Sequence, residues 1–587
     1  MELPLLDPLT ERSQYLEIKA SARILADSLD IPILKGVSLD QTAKKTPFEQ
    51  CSSLGLPLML KATGTGGGRA MRKVFVESEF NSALQQVNAE AILFGSDGEI
   101  IAERLLESAR HIEAQLCGFQ DGSVIHLGER DCSAQRRFQK LIEESPALGL
   151  DPQLRLDLLS AAVKLTKEAG LQSLATAEFL VTENEFYFLE INPRLQVEHT
   201  VTEEVTGLDL VELQIRAASE KAYNISQDEI SFSGAAIEIR IVSESPEQNY
   251  MPSAQVVDHF FFPKSIRVDH ALTFGVAPNL DYDSLLAKII CHAESTAEVR
   301  KKCIEAMNNS WILGPATTIP FLTKALGWKK PYTIDYLTSN HTALVEQCVT
   351  QQQGEINDLA GIATVAAYFL GLKHRATVKS QVEKNEFAKG LSAFSELSNF
   401  GRSVDPEITV DISSDSIIET KQEAQLLIKN RPNANKIVIG LRDREVDVSL
   451  IDTLDHVYKL ELRSRDQARI AIVSLQTNVS ISALVSLNGY SFAVSQQRPI
   501  RSSSNNSGFK DLAILAKLPG SVVSIAVKPG DTIEIGQPLL TLESMKMEHQ
   551  IISQRNAHVE IVHTSVGKQV ERGQLLITLA PTSKDTQ

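Results

Sequence analysis

Two glutamates stand where their spacing could do chemistry: Glu178 in Thr176-Ala-Glu-Phe-Leu180 and Glu190 in Phe188-Leu-Glu-Ile-Asn192. The polar stretch Glu183-Asn-Glu185 between them predicts a hairpin centred on Asn184. In that register Glu178 faces Glu190, and Asn192 shares their face because strand side chains alternate. Like charges directly across a ladder repel. A divalent cation that also binds nucleotide phosphates would remove the repulsion, and hard oxygen ligands suit Mg2+. The plainer alternative is two solvated carboxylates at a sheet edge, screened by salt.

Three other segments carry polar chemistry. Lys61-Ala-Thr-Gly-Thr-Gly-Gly-Gly-Arg69 follows an apolar run at 56–60, so a strand runs into a glycine-rich loop whose N–H groups can approach phosphates. No Gly-Lys-Ser/Thr ends it, so it is not a Walker A loop. Glu129-Arg-Asp-Cys-Ser-Ala-Gln-Arg-Arg-Phe-Gln-Lys140 and Asn192-Pro-Arg-Leu-Gln-Val-Glu-His-Thr-Val-Thr-Glu203 set cations among carboxylates, a pattern that in isolation is usually a surface ion-pair network. Near the C-terminus, Gly530, Gly536, Thr541 and Leu542 recur 37 positions on as Gly567, Gly573, Thr578 and Leu579. Two similar β units imply a pseudo-two-fold sandwich. The link between them, Glu543-Ser-Met-Lys-Met-Glu-His549, then forms an exposed hairpin with Lys546 between two methionines. A lone lysine on a turn is ordinarily just a solvated charge. Here the polar, aperiodic stretch 497–508 precedes the sandwich as a flexible tether, and a leashed turn suits a swinging prosthetic group, raising its effective concentration at a distant site.

The elements that must position these residues alternate in period. Strand-like runs at 56–60, 92–94, 186–191 and 235–241 mix with helical patterns at 154–169 and 298–307, giving mixed α/β. Beyond about 350 a helix at 357–370 is apolar nearly all round, as a buried helix is. Short strands follow at 436–439, 445–451, 457–462, 468–473 and 480–487, and Asn488-Gly489 marks a hairpin. This region reads as one helix plus a small antiparallel barrel or sheet. At 587 residues several domains are expected. A net charge of −16 argues against nucleic acid or an anionic membrane as the main partner. There is no apolar run near the length of a spanning helix, and Met-Glu-Leu-Pro-Leu-Leu-Asp is no signal peptide. Cys51, Cys117, Cys132, Cys291, Cys303 and Cys348 form no CxxC pair and read as reduced intracellular thiols.

In this order the front segments, from about Lys19 to about Asn340, resemble the biotin carboxylases of the ATP-grasp superfamily. The Met-Lys-Met link resembles that of biotin carboxyl carrier domains; lipoyl domains typically carry Asp-Lys-Ala instead. The resemblance implies ATP, Mg2+ or Mn2+ and covalent biotin on Lys546, attached by a biotin protein ligase. Lys19 and Lys61 would hold ATP phosphates under the loop containing Gly67 and Gly68. Glu103, Arg104, Leu105 and Leu106 would line the adenine pocket, with His111 also at the nucleotide. Glu178, Glu190 and Asn192 would hold the metal ions. Arg194, Gln196, Val197 and Lys140 would grip bicarbonate, Glu198 would be its general base, and Arg240 would stabilise the biotin enolate.

The implied organisation is an ATP-grasp domain at 19–225, a biotin carboxylase C-terminal domain at 226–345 and a subunit-interaction domain at 350–496. A linker at 497–508 and a β-sandwich carrier at 509–582 follow, with 1–18 as a remnant. The family carries a whole nucleotide-fold lobe before the Lys19 region, so that lobe is expected to be lacking. Phe138 and Ala235 stand where relatives often have histidine; Thr65 and Ala70 replace loop glycines, and Ala557 replaces a turn glycine that its repeat partner Gly520 keeps. The expected activity is ATP-dependent carboxylation of carrier biotin in the cytoplasm, or the mitochondrial matrix of a eukaryote. Carboxybiotin would pass to a separate carboxyltransferase β subunit in a hetero-oligomer. Met-Lys-Met-Glu-His leans towards 3-methylcrotonyl-CoA, with propionyl-, acetyl- and geranyl-CoA open. A carrier and assembly subunit with an inactive ATP-grasp half is the alternative.

Overall fold

The front half grows from strands whose two faces differ in chemistry. The computed structural model describes residues 19–581 except 41–42, 63–69, 94–98, 137–138, 220–222, 249, 280–282, 328–331, 335, 342, 346–358, 368–406, 414–421, 429–435, 442–443, 455–456, 465–466, 477–481, 488, 497–511, 517–518, 545–546 and 554. The proposed remnant at 1–18 therefore lies outside the described residues, as do Gly67, Gly68 and Lys546. Strands β1 (Gly36–Leu39), β2 (Leu58–Ala62), β3 (Met71–Val74) and β4 (Ile100–Arg104) form a sheet in the order β1-β4-β2-β3. The helix Glu77–Leu93 covers it with Phe80, Leu84, Val87 and Ala91. The strand expected at 92–94 is thus corrected: Ile92 and Leu93 end that helix. A three-residue apolar run cannot distinguish strand from helix by period, and Ile92, 72% exposed, extends the helix rather than any buried strand.

The second sheet has eight strands. They are β5 (Arg110–Gly118), β6 (Val124–Arg136), β7 (Gln139–Ser145), β8 (Ser173–Val181), β9 (Phe186–Asn192) and β10 (Ala235–Val242), with β14 (Arg267–His270) and β15 (Leu285–Ala293). The short strands β11 (Glu244–Ser245), β12 (Met251–Pro252), β13 (His259–Phe261) and β16 (Trp311–Leu313) pair off separately. The sheet order β14-β15-β10-β7-β6-β5-β8-β9 is continuous across position 226. Ile112, Ala114 and Leu116 of β5 and Ala175, Ala177 and Phe179 of β8 pack against Leu158, Ala162 and Leu165 of the helix Pro152–Glu168. That helix starts where it does because Asp151 caps Gln153 and Leu154 and Pro152 needs no amide bond in the first turn. The intervening residues His111, Glu113, Gln115, Thr176 and Glu178 consequently share the other face. In β10, Ile237, Ile239 and Ile241 pack with Val299, Cys303 and Met307 of the helix Thr296–Asn309, leaving Glu238 and Arg240 opposite.

The β8–β9 hairpin corrects one expectation and keeps its consequence. Thr182 N bonds Glu185 O at 2.9 Å, so the connection is Glu183-Asn184 rather than a loop centred on Asn184. From there to Phe179–Phe188 the register is one residue short of the expected one. A bulge at Leu189 restores it, and Glu178 pairs with Glu190 and Thr176 with Asn192. Without the bulge, Glu190 and Asn192 would fall on the face of Phe186 and Phe188, in the apolar core.

Strands β17 (Glu407–Ser413), β18 (Gln422–Ile428), β19 (Lys436–Leu441), β20 (Arg444–Leu454), β21 (Val457–Ser464), β22 (Gln467–Leu475), β23 (Ser482–Leu487) and β24 (Tyr490–Gln496) close into an antiparallel barrel. A helix at 359–367 supplies Leu359, Ile362, Ala363, Val365 and Ala366 to the same core as barrel residues Leu460, Val473, Val485 and Phe492. Its lack of a polar face is explained by that surround. The C-terminal sandwich pairs two four-stranded sheets. One has β25 (Ala513–Leu515), β27 (Thr532–Ile533), β30 (Ala557–Val562) and β32 (Leu575–Pro581); the other has β26 (Gly520–Ile525), β28 (Pro538–Ser544), β29 (Met547–Ile552) and β31 (Gln569–Val570). The repeat is visible in its bonds: Gly530 N reaches Val559 O as Gly567 N reaches Val522 O, both at 2.8 Å. Gly520 and Ala557 are not positive-φ turn residues but first residues of β26 and β30, so alanine is unstrained at 557. Among the described residues no helix is long and apolar enough to cross a membrane.

Candidate active site

Polar residues at every second position of β5, β8, β9 and β10 converge on one face of the eight-stranded sheet. Glu178, 6% exposed, is the hub. Its Oε1 accepts from Gln196 Nε2 at 2.9 Å, Asn192 Nδ2 at 3.0 Å and Lys140 Nζ at 3.3 Å. Its Oε2 lies 3.0 Å from His111 Nε2. Asn192 Nδ2 also reaches Glu190 Oε1 at 3.3 Å. Burial opposes ionisation of Glu178, but Lys140 and His111 outweigh it and hold the carboxyl well below its usual range. Opposed carboxylates with an amide between them fit a hard divalent cation.

Lys140 on β7 donates to Glu113 and Glu198, each at 2.6 Å. Burial works against its charge, yet Glu113, Glu178 and Glu198 raise its pKa well above the ordinary lysine value. Glu198 stands at the N-cap of the helix His199–Thr206 and makes no capping bond. Its carboxylate turns instead to Lys140 and, at 2.8 Å, to Arg240 Nη2. These two cations and Arg130 overcome burial and depress it well below the carboxylate range. A base so clamped is weak, and its strength rises when the cations turn to another anion.

Not every expected residue joins this cluster. Gln196 does, bridging Glu178 and Arg130. Arg194 is exposed and donates to Leu195 O. Val197 exposes its side chain, and its carbonyl accepts from Lys288 at 2.8 Å. Lys61 and Glu103 belong to the four-stranded sheet and pair with each other, with Arg23 2.7 Å from Glu103. Arg104 is exposed, while Leu105 and Leu106 are half-buried just beyond β4. Nothing is described of the Lys19 side chain, although Lys19 begins the helix Lys19–Ser28. Ala70, in place of a glycine, has φ 47°, the left-handed region that glycine suits better.

Sequence reasoning missed Glu113, Arg130, Glu143, Glu238 and Lys288. Arg130 is fully buried and donates to Glu113 and Gln115 at 2.6 Å and to Thr202 at 3.0 Å. The available signal was polar residues at i and i+2 inside apolar strands, as in His111, Glu113 and Gln115.

The geometry accords with similarity to known proteins. Residues 19–225 match the carbamoyl-phosphate synthase L chain ATP-binding domain, 238–340 the biotin carboxylase C-terminal domain, and 515–579 the biotin-requiring enzyme domain. The mitochondrial methylcrotonoyl-CoA carboxylase α subunit of Arabidopsis thaliana is 30% identical over 600 residues, covering 96% of this chain and 79% of that protein. Its counterpart in Glycine max is 29% identical over 603 residues, covering 96% and 80%. The biotin carboxylase domain of 2-oxoglutarate carboxylase from Hydrogenobacter thermophilus, solved with MgADP, ADP and bicarbonate, matches with a TM-score of 0.54 and 36% identity. That match covers 56% of this chain and 75% of the other. Fold and site together define an enzyme of the ATP-grasp biotin carboxylase type. The chain belongs to the family of biotin-dependent carboxylase subunits that includes the methylcrotonoyl-CoA carboxylase α subunits.

Proposed function

We propose that this chain carboxylates carrier-bound biotin with bicarbonate and ATP, and hands the carboxyl group to a separate acyl-CoA carboxyltransferase subunit. The observation that carries the reading is one carboxylate, Glu198, held by Lys140 at 2.6 Å and Arg240 at 2.8 Å, where Lys140 also touches the Glu178–Asn192–Glu190 group. Glu178, Glu190 and Asn192 would hold a divalent metal, which would supply positive charge beside the nucleotide phosphates. Lys19 and Lys61 bind phosphate, and Lys61 leaves Glu103 to do so. Lys140, Arg194, Gln196 and the Val197 backbone bind bicarbonate. As Lys140 turns to bicarbonate, Glu198 loses a cation, gains basicity and takes the bicarbonate proton. Arg240 steadies negative charge on the ureido oxygen. Lys546 would carry the biotin, which would supply the nitrogen for the carboxyl group. The described ladder of β28 and β29 ends at the pair Ser544–Met547, the residues that flank Met545-Lys546 in the sequence, which supports modification there.

Similarity to methylcrotonoyl-CoA carboxylase α subunits supports a carboxyltransferase β partner and a branched enoyl-CoA acceptor, 3-methylcrotonyl-CoA. Buried free thiols at Cys51, Cys117, Cys132, Cys291 and Cys303 support a reducing compartment, cytoplasm or mitochondrial matrix. The test is carboxylation of free biotin by the purified full chain with ATP and bicarbonate. Glu198→Gln should lower that rate by about a hundredfold or more while nucleotide binding persists. Intact nucleotide binding with no turnover in the unaltered chain would establish the carrier and assembly role instead. Lys546→Arg should abolish recognition by avidin.

A further inference from the structure

Behind Arg240 lies a second carboxylate pair that the reaction as described does not use. Glu143 of β7 and Glu238 of β10 are direct partners across the ladder, and both are fully buried. Such a pair destabilises a sheet, and apolar residues like the neighbouring Ile237 and Ile239 would join the strands better. Glu238 has its own compensation: it accepts from the Thr200 hydroxyl and lies 3.6 Å from Lys288 Nζ. Glu143 makes one close ion pair, its Oε1 lying 2.6 Å from Arg240 Nε, and neither of its oxygens has a hydrogen-bond partner among the described residues. Arg240 is thus held on two edges, Nε by Glu143 and Nη2 by Glu198 at 2.8 Å. Two held edges fix the plane of a guanidinium, and Nη1 makes no hydrogen bond among the described residues.

We infer that Glu143, backed by Glu238, is a positioning residue for Arg240: it fixes the guanidinium plane so that the remaining arm meets the biotin oxygen. The inference rests on the proposed carboxylation. The groups facing Glu143 are Arg240 and Glu238 on β10, Glu198 before the helix His199–Thr206 and Lys140 on its own strand; Lys288 on β15 faces its partner Glu238. Burial pushes Glu143 up to about 8; Arg240 and Lys140 oppose the rise, and Glu238 and Glu198 add to it. Near neutral pH the pair therefore keeps a proton, and above that range Glu143 holds Arg240 as a full anion.

The experiment compares Glu143→Ala and Glu143→Gln in the full chain. Glu143→Ala should lower biotin-dependent turnover roughly tenfold to a hundredfold, far more than bicarbonate-dependent ATP cleavage without biotin. Glu143→Gln, which keeps a polar oxygen beside Nε, should recover most of the rate but lose the change in rate near pH 8. An arginine-specific dicarbonyl, phenylglyoxal, with mass-spectrometric mapping, should modify Arg240 several-fold faster in Glu143→Ala. Equal losses in both ATP reactions, or an unchanged modification rate, overturn the inference. A wild-type chain that cleaves no ATP defeats the proposed function alone, and phenylglyoxal then decides this inference by itself. If Glu143→Ala does not fold, persistence of the pH 8 change in Glu143→Gln overturns it.

Discussion

At the scale of single residues, the site is an alternation of buried charges. Arg130 shows how tightly they depend on one another. Its replacement by Met leaves Glu113 buried with Lys140 as its remaining cation, which should cost about 3–5 kcal/mol. A lowered urea midpoint with an unchanged slope is the expected record. The pH dependence has two limbs of opposite origin. Glu178 and Glu198 are depressed in the folded chain, so their stabilisation is present above the unfolded value of 4.5 and is lost as pH falls. Glu143 and Glu247 are raised, to about 8 and about 7, so their contribution is full below 4.5 and is lost as pH rises through those values. Amide exchange in β5 and β10 should therefore be slowest between the limbs. Glu143→Gln should flatten the alkaline one.

At the scale of elements, the β9 bulge absorbs Leu189 and so keeps Glu190 and Asn192 on the polar face. Deleting Leu189 removes the extra residue, and plain alternation then still sets Glu190 opposite Glu178 and Asn192 opposite Thr176. Mn2+ binding followed by electron paramagnetic resonance should therefore persist in the deletion variant. Loss of Mn2+ binding there would show that the bulge shapes the site beyond setting the face of Glu190. The bulge has no signature of its own in the sequence, since Phe-Tyr-Phe-Leu-Glu-Ile-Asn reads as an unbroken strand.

At the scale of the molecule, the barrel rests on the carboxylase half. Leu313 packs with Val457 and Ile472, flanked by Trp311 and Leu484, and Gly314 N meets Ser491 Oγ at 3.2 Å. The β23–β24 turn comes so close that a Cβ on Gly489 would lie 2.9 Å from Ile319 Cγ2, at a φ of 81°. Gly489→Ala should therefore strain the turn and push the barrel away, by about 1–2 kcal/mol. Faster exchange in β16 and β23 would report it, with β5 unaffected. Glu247 belongs to the same contact: it accepts from Ser245 Oγ at 3.2 Å and faces Tyr490. Raised to about 7 by burial, it should favour docking when protonated, so exchange in β16 should quicken as pH passes 7.

Much of this was legible in the chain itself, because it rests on short-range rules. A hairpin counted from Asn184 placed Glu178 opposite Glu190, a pairing that holds because the Leu189 bulge offsets the shorter turn; a 37-residue repeat announced the carrier, and Asn488-Gly489 marked a hairpin that β23 and β24 do form. Ile92 misled because three apolar residues carry no period of their own. What the amino-acid order could not disclose is which charges meet. Glu143 and Glu238 are 95 positions apart, and only the pairing of β7 with β10 makes them neighbours. The clamp on Glu198 by Lys140 and Arg240 arises likewise, from three separate elements brought to one face. Periodicity determines the face a side chain takes on its own strand; which strands lie side by side is decided by how their apolar faces pack.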